Sequence, residues 1–463
     1  MTPGSFRRGP RFASSEQCRS ARGAAAATMA SIVMLLLISV APTLGLPAAD
    51  PSAQVLAAIT PLVQKIAAKY NCSVSVGILG GPTDRVSVSF ATGITDRATG
   101  REASTADPYV WGSITKMITG TAVLRLVDAG KIALEDQVPP LIDPLLAKMK
   151  DKDPTQTFGS MSEIWGDDVH KITVKDLLHM YSGLPDYDTA SPGDHPVDTF
   201  RSDSYAHPDK SFTPVQLISL PWVATGKLLF PPGTCDQKHY FNCYSSTNYV
   251  MLGLLLACQA GADDWKDYDQ FAALGDFAKT LASLTFAVSG PPNAWTPVKG
   301  YDMTHYNNES GKFPGIDVSA VAGVFGGWTA ADATMNALDA ANLVKGIYGP
   351  PFELVSKPLV DEMYALSNVT GYGMATFNLT RLTPHDVAYG HLGATYGYQS
   401  VAVYVPSMDL GISIATNIEL DSQPQPADVF CSVYNTAKAV LLGSKIPTCT
   451  FKPSYWSGGC DCK

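Results

Sequence analysis

The chain has 463 residues, of which 46% are hydrophobic and 16% are charged, so it is long enough to fold around a large core. Its formal net charge is −9 and its isoelectric point is about 5.3. This balance excludes the basic composition of a nucleic-acid-binding protein, and we expect no nucleic acid partner.

The N-terminal segment has the composition of a targeting sequence. Five arginines precede an uncharged run that ends near Ala49: Arg7, Arg8, Arg11, Arg19 and Arg22. A basic start, an apolar middle and small residues after it predict a secretory signal peptide over residues 1–49. Pro42 and Pro47 break the end of the run and favour cleavage. The apolar stretch 24–46 is also long enough for an uncleaved membrane anchor, and this alternative stays open.

Sequons in the remainder of the chain also indicate export, because glycans are attached to Asn-X-Ser/Thr sites of secreted proteins. The candidate acceptors are Asn71, Asn308, Asn368 and Asn378. We therefore expect a secreted, extracellular glycoprotein that has no membrane contact once the leader is cleaved.

Cysteine usage is a second indication of export. The chain has 9 cysteines, and because Cys18 lies in the leader, an even number remains, which predicts disulfides in an exported protein. Cys235 and Cys243 flank a short loop and are the first predicted pair. Cys431 is expected to pair with Cys449 or with a cysteine of the terminal Cys-Asp-Cys. The chain has no CxxC pair, so we expect no metal site.

After the leader, the hydrophobic pattern predicts a helix, a hairpin and a second helix. Residues 51–70 carry apolar side chains at helical spacing. Residues 72–93 form two alternating segments around Gly80, which predict a β-hairpin. An apolar helix then follows from about Val110 to Ile132.

The rest of the chain predicts a helical insertion and a return to the sheet. Residues 128–320 are helical and loop-rich, and residues 399–417 give two alternating segments joined at Pro406–Asp409. A last helix is predicted over residues 428–443. This order predicts an α+β fold, with an antiparallel sheet flanked by N- and C-terminal helices and an inserted helical subdomain.

The stretch "VWGSITKMITG" places Ser113 three residues before Lys116 in an apolar run. A serine hydroxyl needs a base to become a nucleophile, and residues three apart on a helix share a face. A lysine serves as that base when burial or nearby charge lowers its pKa. The N–H groups at a helix start also stabilise an oxyanion. By itself the pattern is short and common, so a coincidental Ser-x-x-Lys remains possible.

Two further stretches carry groups that fit the same chemistry. "FNCYSSTNYVMLGLLL" contains Tyr244 with Ser246 two residues later, and a tyrosine hydroxyl can relay protons. "YGHLGATYGYQS" contains His391, Leu392 and Gly393 at the start of a predicted strand. A glycine in such a strand allows close approach of a substrate backbone. Taken singly, Tyr244 equally fits aromatic packing, and His391 fits an ordinary strand histidine.

Together these stretches resemble the serine beta-lactamase and penicillin-binding protein superfamily. The motifs Ser-x-x-Lys, Tyr-x-Asn and Lys/His-x-Gly correspond, in order, to Ser113–Lys116, Tyr244–Ser246 and His391–Gly393. The resemblance is to the class C beta-lactamase-related branch, which includes D-Ala-D-Ala carboxypeptidases and esterases. It extends over roughly residues 55–443, with flanking segments such as "ITVKDLLHMYSGLPDY" and "VYVPSMDLGISIATN". It implies the beta-lactamase/DD-peptidase fold, with a catalytic domain over residues 50–445 and a cysteine-containing tail over 446–463.

The resemblance also implies a role for each matching residue. Ser113 is expected to be acylated, and Lys116 and Tyr244 are expected to manage its proton and that of the leaving group. The backbone N–H groups of Ser113 and Ala394 are expected to form the oxyanion hole. His391 is expected at the strand edge, hydrogen-bonded towards Tyr244. This chemistry needs no cofactor.

Departures from the family pattern fall at the residues expected to bind the substrate, which are Ser246, Leu392 and Gly393. Ser246 stands where Asn is frequent, and Leu392 stands where a threonine hydroxyl helps bind the substrate carboxylate. His391 replaces the lysine of dedicated beta-lactamases. These departures argue against efficient penicillin hydrolysis and leave an ester or a D-amino-acid peptide-like amide as the expected substrate. The alternative is a catalytically inactive protein of this fold that binds or assembles.

Overall fold

The structure of the chain is a computed structural model. It describes residues 50–82, 86–188, 199–236, 240–287, 298–304, 316–384, 386–421 and 424–449. The expected leader, the Asn308 sequon and the terminal cysteines Cys460 and Cys462 lie outside these ranges. Inside them, no helix combines the length and the apolar character that crossing a bilayer requires.

The described chain begins and ends with a helix, the longer strands lie next to these two helices, and the stretch between the strands is mostly helical. The helices are α1 (Pro51–Tyr70), α2 (Thr115–Asp128), α3 (Pro139–Lys152), α4 (Met161–Trp165), α5 (Val174–Leu178), α6 (Thr199–Ala206), α7 (Pro214–Ile218), α8 (Tyr240–Cys243), α9 (Thr247–Gln259), α10 (Ala337–Tyr348), α11 (Lys357–Met363) and α12 (Pro424–Leu442). The strands are β1 (Val74–Gly80), β2 (Val86–Thr92), β3 (Ile94–Asp96), β4 (Arg101–Glu102), β5 (Tyr109–Val110), β6 (Thr285–Phe286), β7 (Tyr301–Asp302), β8 (Ile316–Asp317), β9 (Ala333–Met335), β10 (Phe377–Asn378), β11 (Tyr389–Thr395), β12 (Tyr398–Val405), β13 (Leu410–Thr416) and β14 (Ile418–Glu419).

Among the described residues, the main sheet has six antiparallel strands in the order β10-β11-β12-β13-β1-β2. Helices α1 and α12 pack together on one face of it, where Val55, Ile59 and Val63 of α1 are fully buried. Helix α10 packs against β1 and β13 from the opposite face. The predicted α+β fold, with an antiparallel sheet flanked by the terminal helices, is confirmed.

Both predicted hairpins are part of this sheet. Strands β1 and β2 pair from Val74 opposite Thr92 to Gly80 opposite Val86. Strands β12 and β13 are joined by a 3-10 turn at Pro406–Met408, which Asp409 closes in the left-handed conformation. The alternating patterns were long enough here to predict both the strands and their pairing.

The chain between α2 and β9 packs around α9, which is buried at every residue from Thr247 to Ala257. Helices α2, α3 and α5 contact it. The short strands β6, β7 and β8 also lie in this segment, where the sequence predicted helices and loops. A two-residue strand is too short to show a period-2 pattern, and it forms only because a partner is present. For β7 that partner is β14, from the far end of the chain.

Candidate active site

Ser113 and Lys116 lie side by side at the start of α2. Ser113 belongs to a 3-10 turn, Gly112–Ile114, that continues directly into the helix. The Lys116 Nζ donates a hydrogen bond to Ser113 Oγ at 2.8 Å and another to the Ala330 carbonyl at 3.0 Å. Lys116 is fully buried and Ser113 is half-buried. The three-residue spacing therefore brings an accessible hydroxyl against a desolvated amine.

Two glycines allow the Ser113 turn to lie directly against β11. Gly112 has a φ of +54°, and a Cβ on it would lie 2.5 Å from the Ala394 carbonyl oxygen. A Cβ on Gly393 would lie 1.9 Å from the Trp111 carbonyl oxygen. Any side chain at either position would push the two segments apart. The glycine of the third motif thus sets the contact between β11 and the turn that carries Ser113.

The pKa of Lys116 is set by opposing influences. Burial lowers it and the carboxylates of Asp186 and Asp188 raise it, and the net result is a pKa lowered to about 8. The loop after α5 holds both carboxylates in place. Asp186 Oδ1 accepts from the Ser246 backbone N–H at 2.9 Å, and Asp188 Oδ1 accepts from the Tyr396 hydroxyl at 2.8 Å. At neutral pH a fraction of Lys116 is therefore the free amine that a general base requires.

Tyr244 lies near the same serine and lysine. Its ring centroid lies 5.3 Å from Lys116 Nζ. Burial raises the pKa of the Tyr244 hydroxyl well above its ordinary value, and the influence of the nearby Ser113 hydroxyl only partly offsets this. Tyr244 is therefore a neutral phenol at physiological pH. Of these two groups near Ser113, the amine is the one able to accept a proton.

A disulfide closes the loop immediately before Tyr244. Cys235 and Cys243 are bonded, which confirms the first predicted pair. Both cysteines are buried in a small cluster with Phe230. The second disulfide joins Cys431 in α12 to Cys449, which is one of the alternatives that the sequence left open.

His391 lies in β11 and is fully buried, but its hydrogen bonds differ from those expected. Its Nε2 is 3.0 Å from the Tyr372 hydroxyl, and its Nδ1 is 2.5 Å from the Leu392 carbonyl oxygen. Its ring centroid lies 6.4 Å from that of Tyr244. Burial, with a smaller contribution from the Lys116 charge, lowers the pKa of His391 to about 3. Its hydrogen-bond partner is thus Tyr372 in place of the expected Tyr244.

Two of the residues expected to bind the substrate, Ser246 and Leu392, pack into the protein interior. Ser246 is buried at the N-terminus of α9, where its backbone N–H bonds Asp186. Leu392 is half-buried and packs against the core that α1 and α12 form. Leu392 therefore adds neither a charge nor a hydroxyl group to β11. Within the described ranges, no group of three or more His, Cys, Asp or Glu side chains is arranged to hold a metal ion.

Sequence reasoning missed Asp186, Asp188 and Tyr372. Asp186 is the aspartate of "SGLPDY" and Asp188 follows that stretch directly. The stretch belongs to a segment quoted for the resemblance, so it was a usable signal. Tyr372 lies between two glycines in "TGYGM", and no spacing connects it with His391.

The model of the beta-lactamase family matches residues 73–429, which is most of the chain. The chain belongs to the beta-lactamase family. Its motif residues Ser113, Lys116, Tyr244 and His391 all lie inside the matched range. The superfamily that the motifs predicted is therefore confirmed.

Solved structures with this fold include amidases and a penicillin-binding protein homologue. A D-stereospecific amidohydrolase from Streptomyces sp. is 19% identical, with a TM-score of 0.59 over 84% of this chain and 99% of that chain. The D-amino acid amidase from Ochrobactrum anthropi SV3, complexed with L-phenylalanine amide, is 16% identical, with a TM-score of 0.60 over 83% of this chain and 99% of that chain. The octameric penicillin-binding protein homologue from Pyrococcus abyssi is 18% identical, with a TM-score of 0.58 over 84% and 78%. These similarities confirm the beta-lactamase/DD-peptidase fold.

Proposed function

We propose that this beta-lactamase family member is a serine hydrolase that acts through an acyl-enzyme on Ser113. The observation that carries the proposal is the 2.8 Å hydrogen bond between Lys116 Nζ and Ser113 Oγ. Lys116 is desolvated and has a pKa of about 8, so it is available as a base near neutral pH. A structural lysine with no catalytic role would be expected to bond a carboxylate, whereas the bonds of this one are to a hydroxyl and a carbonyl.

The proton path follows from the two groups near Ser113. Neutral Lys116 takes the proton from Ser113 Oγ as that oxygen attacks the substrate carbonyl. The backbone N–H groups of Ser113 and Ala394 donate to the oxyanion that forms. Tyr244 gives its hydroxyl proton to the leaving group and regains one from the Lys116 ammonium. Water then attacks the acyl-enzyme and gives a proton to the same base, which passes that proton to Ser113 Oγ as the acid leaves.

The substrate that we propose is an ester or an amide of a D-amino-acid or peptide-like compound. Two solved structures of similar fold are a D-stereospecific amidohydrolase and a D-amino acid amidase. The residues of β11 support a substrate that carries no carboxylate at the position where the family pattern binds one. His391 is neutral because its pKa is about 3, and Leu392 carries no hydroxyl. A substrate carboxylate, such as that of penicillin, thus has neither partner that the family pattern provides.

We also propose that the enzyme is secreted, with residues 1–49 as the leader and residues 50–445 as the catalytic domain. Two disulfides support an oxidising compartment. The sequon asparagines in the described ranges are exposed, as glycan attachment requires: Asn71, Asn368 and Asn378. Their glycosylation remains a prediction.

The test is intact-mass spectrometry after incubation with a fluorophosphonate. We expect one adduct on the wild-type protein and none on Ser113→Ala. Lys116→Met should slow labelling at least about 100-fold, as expected for loss of a general base. Ser245→Ala is a matched control, because Ser245 is a neighbouring buried serine whose hydroxyl has no hydrogen-bond partner in the described structure. It should label like the wild type.

The remaining outcomes separate the alternatives. Labelling by fluorophosphonate but not by a fluorescent penicillin would support an ester or amide substrate without a carboxylate. Labelling by both would show that a carboxylate site exists despite Leu392. If folded wild-type protein reacts with neither, the nucleophile assignment fails and the inactive binding or assembly protein becomes the better explanation.

A further inference from the structure

The hydrogen bonds of His391 determine which of its nitrogens carries the proton. A carbonyl oxygen only accepts, so the 2.5 Å contact with the Leu392 carbonyl places the proton on Nδ1. The ring is neutral at physiological pH because its pKa is about 3. Nε2 therefore carries a lone pair, and its partner at 3.0 Å, the Tyr372 hydroxyl, must be the donor.

Tyr372 has its proton available for this bond. Burial raises the pKa of Tyr372 well above its ordinary value, so it stays protonated. The nearby Tyr249 hydroxyl, 3.4 Å away, donates its own proton to the Leu178 carbonyl at 2.9 Å. Tyr249 is thus at most an acceptor for Tyr372, and the shorter contact to His391 Nε2 is the stronger one.

A tight turn holds Tyr372 at this position. Tyr372 forms an antiparallel bridge with Phe377, and Phe377 pairs with Gly390, the residue before His391. Ala375 closes the turn between them in the left-handed conformation, with a φ of +51°. The rings of Tyr372 and His391 meet edge to face at 5.6 Å, and Tyr372 also meets Tyr244 edge to face at 5.7 Å. Tyr372 therefore contacts the rings of both the histidine and the proposed proton donor.

We propose that Tyr372 is a positioning residue that, together with the Leu392 carbonyl, holds His391 as the neutral Nδ1–H tautomer and that also supports the ring of Tyr244. The proposal rests on the proposed function. With both ring nitrogens engaged, His391 neither competes with Lys116 for the Ser113 proton nor offers a charge to the substrate. Proton transfer is confined to Lys116, Ser113 and Tyr244.

The test compares the wild type with Tyr372→Phe, which keeps the ring and removes the donor. The first readout is the tautomer of His391, from NMR of the ring nitrogens in ¹⁵N-histidine-labelled protein, with the His391 signals assigned by their loss in His391→Gln. We expect the neutral Nδ1–H form in the wild type, unchanged down to about pH 5. In Tyr372→Phe only the Leu392 carbonyl still favours the Nδ1–H form, so we expect a measurable share of the Nε2–H tautomer. We also expect kcat/KM for a neutral ester to fall about tenfold or more, because the rings of His391 and Tyr244 lose a fixed neighbour. A tyrosine analogue at position 372 with an amino group in place of the hydroxyl should restore both.

The matched control is Tyr434→Phe. Tyr434 is also a buried tyrosine, but it lies in α12 and its hydroxyl bonds Asp386 and not His391. It should leave the His391 tautomer and the reaction rate unchanged. An Nε2–H tautomer in the wild type would refute the proposal without any variant. So would a Tyr372→Phe protein that retains both the wild-type tautomer and the wild-type rate. If the wild type instead shows the expected tautomer but no fluorophosphonate adduct at Ser113, it is the proposed function that fails.

Discussion

At the level of single residues, Lys116 shows how the site balances desolvation against charge. Full burial favours the neutral amine, whereas Asp186 and Asp188 favour the ammonium form. Burial alone would lower the pKa further, so the base would hold its proton less well and deprotonate Ser113 less readily. With the carboxylates present, the pKa of about 8 lies near neutral pH, where the proposed general base would need to work.

This balance predicts the pH profile of acylation. In the wild type, kcat/KM should rise with pH and level off above about 8, as Lys116 loses its proton. In Asp188→Asn the negative charge is gone, so the pKa of Lys116 falls and the rising limb moves to lower pH. The asparagine oxygen can still accept from Tyr396, so the loop should keep its geometry.

The control for this profile is Asp276→Asn, which removes an exposed carboxylate that is paired with Lys279. Its profile should coincide with that of the wild type. A rising limb that stays in place in Asp188→Asn, or moves to higher pH, would mean that Lys116 is not the titrating base.

Residue-scale prediction from sequence succeeded only where a contact is local. Ser113 and Lys116 are three positions apart, so helix geometry alone places them together. Tyr372 and His391 are 19 positions apart, and their contact depends on how a turn packs onto β11. No periodicity encodes that packing. The sequence could therefore identify the histidine but not its partner.

At the level of elements, the segment before Tyr244 is closed by a disulfide. Cys243 ends the single-turn helix α8, and Tyr244 follows it directly. The disulfide to Cys235 and the start of the buried helix α9 fix this segment on its two sides. The position of the proposed proton donor therefore depends on the oxidised state of one cysteine pair.

We expect the double variant Cys235→Ser, Cys243→Ser to fold but to lose much of its reactivity. Removing the disulfide frees the chain before Tyr244, and the unfolding free energy should fall by roughly 2 kcal/mol. Circular dichroism should be unchanged while the fluorophosphonate labelling rate drops about tenfold or more. The matched control, Cys431→Ser with Cys449→Ser, removes a disulfide of α12 and should lose stability without losing reactivity. Equal labelling rates in the two double variants would contradict this role.

Element length decided which parts of the fold could be predicted. α1 has 20 residues and β12 has 8, and both carry enough apolar positions to show their period. β10 has only two residues, yet it carries Phe377 and thereby places the Tyr372 turn. Its strand conformation comes from pairing with β11, which is a tertiary effect. The short elements that shape the site were therefore the ones that the sequence did not predict.

At the level of the whole molecule, a buried ionic cluster joins helix α6 to the short strands β7 and β14. Arg201 in α6 donates to Asp302 of β7 at 2.7 Å and to Glu419 of β14 at 3.0 Å. Glu419 in turn accepts from the backbone N–H of Gly397, in the turn between β11 and β12. The Arg201 guanidinium also lies 4.1 Å from the centre of the Tyr396 ring. The cluster thus connects α6 to the far end of the strand that carries His391.

Arg201→Met should destabilise the whole fold strongly, because it leaves two carboxylates buried without their cation. Loss of one partner from such a cluster typically lowers the unfolding free energy by about 3–5 kcal/mol. The loss should depend on pH. Burial raises the pKa of Glu419 to about 7 even with Arg201 opposing it, so without Arg201 the folded state must hold the proton more tightly. Both folded proteins keep the Glu419 proton up to about pH 7, so Glu419 lowers their stabilities in parallel above pH 5. Above pH 7 only the variant still holds the proton, so its extra destabilisation should grow from pH 7 to pH 8.

Urea unfolding at pH 5 and at pH 8 measures this difference directly. Arg125→Met is the matched control, since Arg125 is a half-buried arginine whose hydrogen bond goes to the Ala273 carbonyl and leaves no carboxylate behind. Its loss of stability should be smaller and nearly the same at both pH values. If Arg201→Met shows the same small, pH-independent loss, the cluster does not join α6 to β7 and β14 energetically. The sheet and the helices would then be held together by apolar packing around α9 and α2 alone.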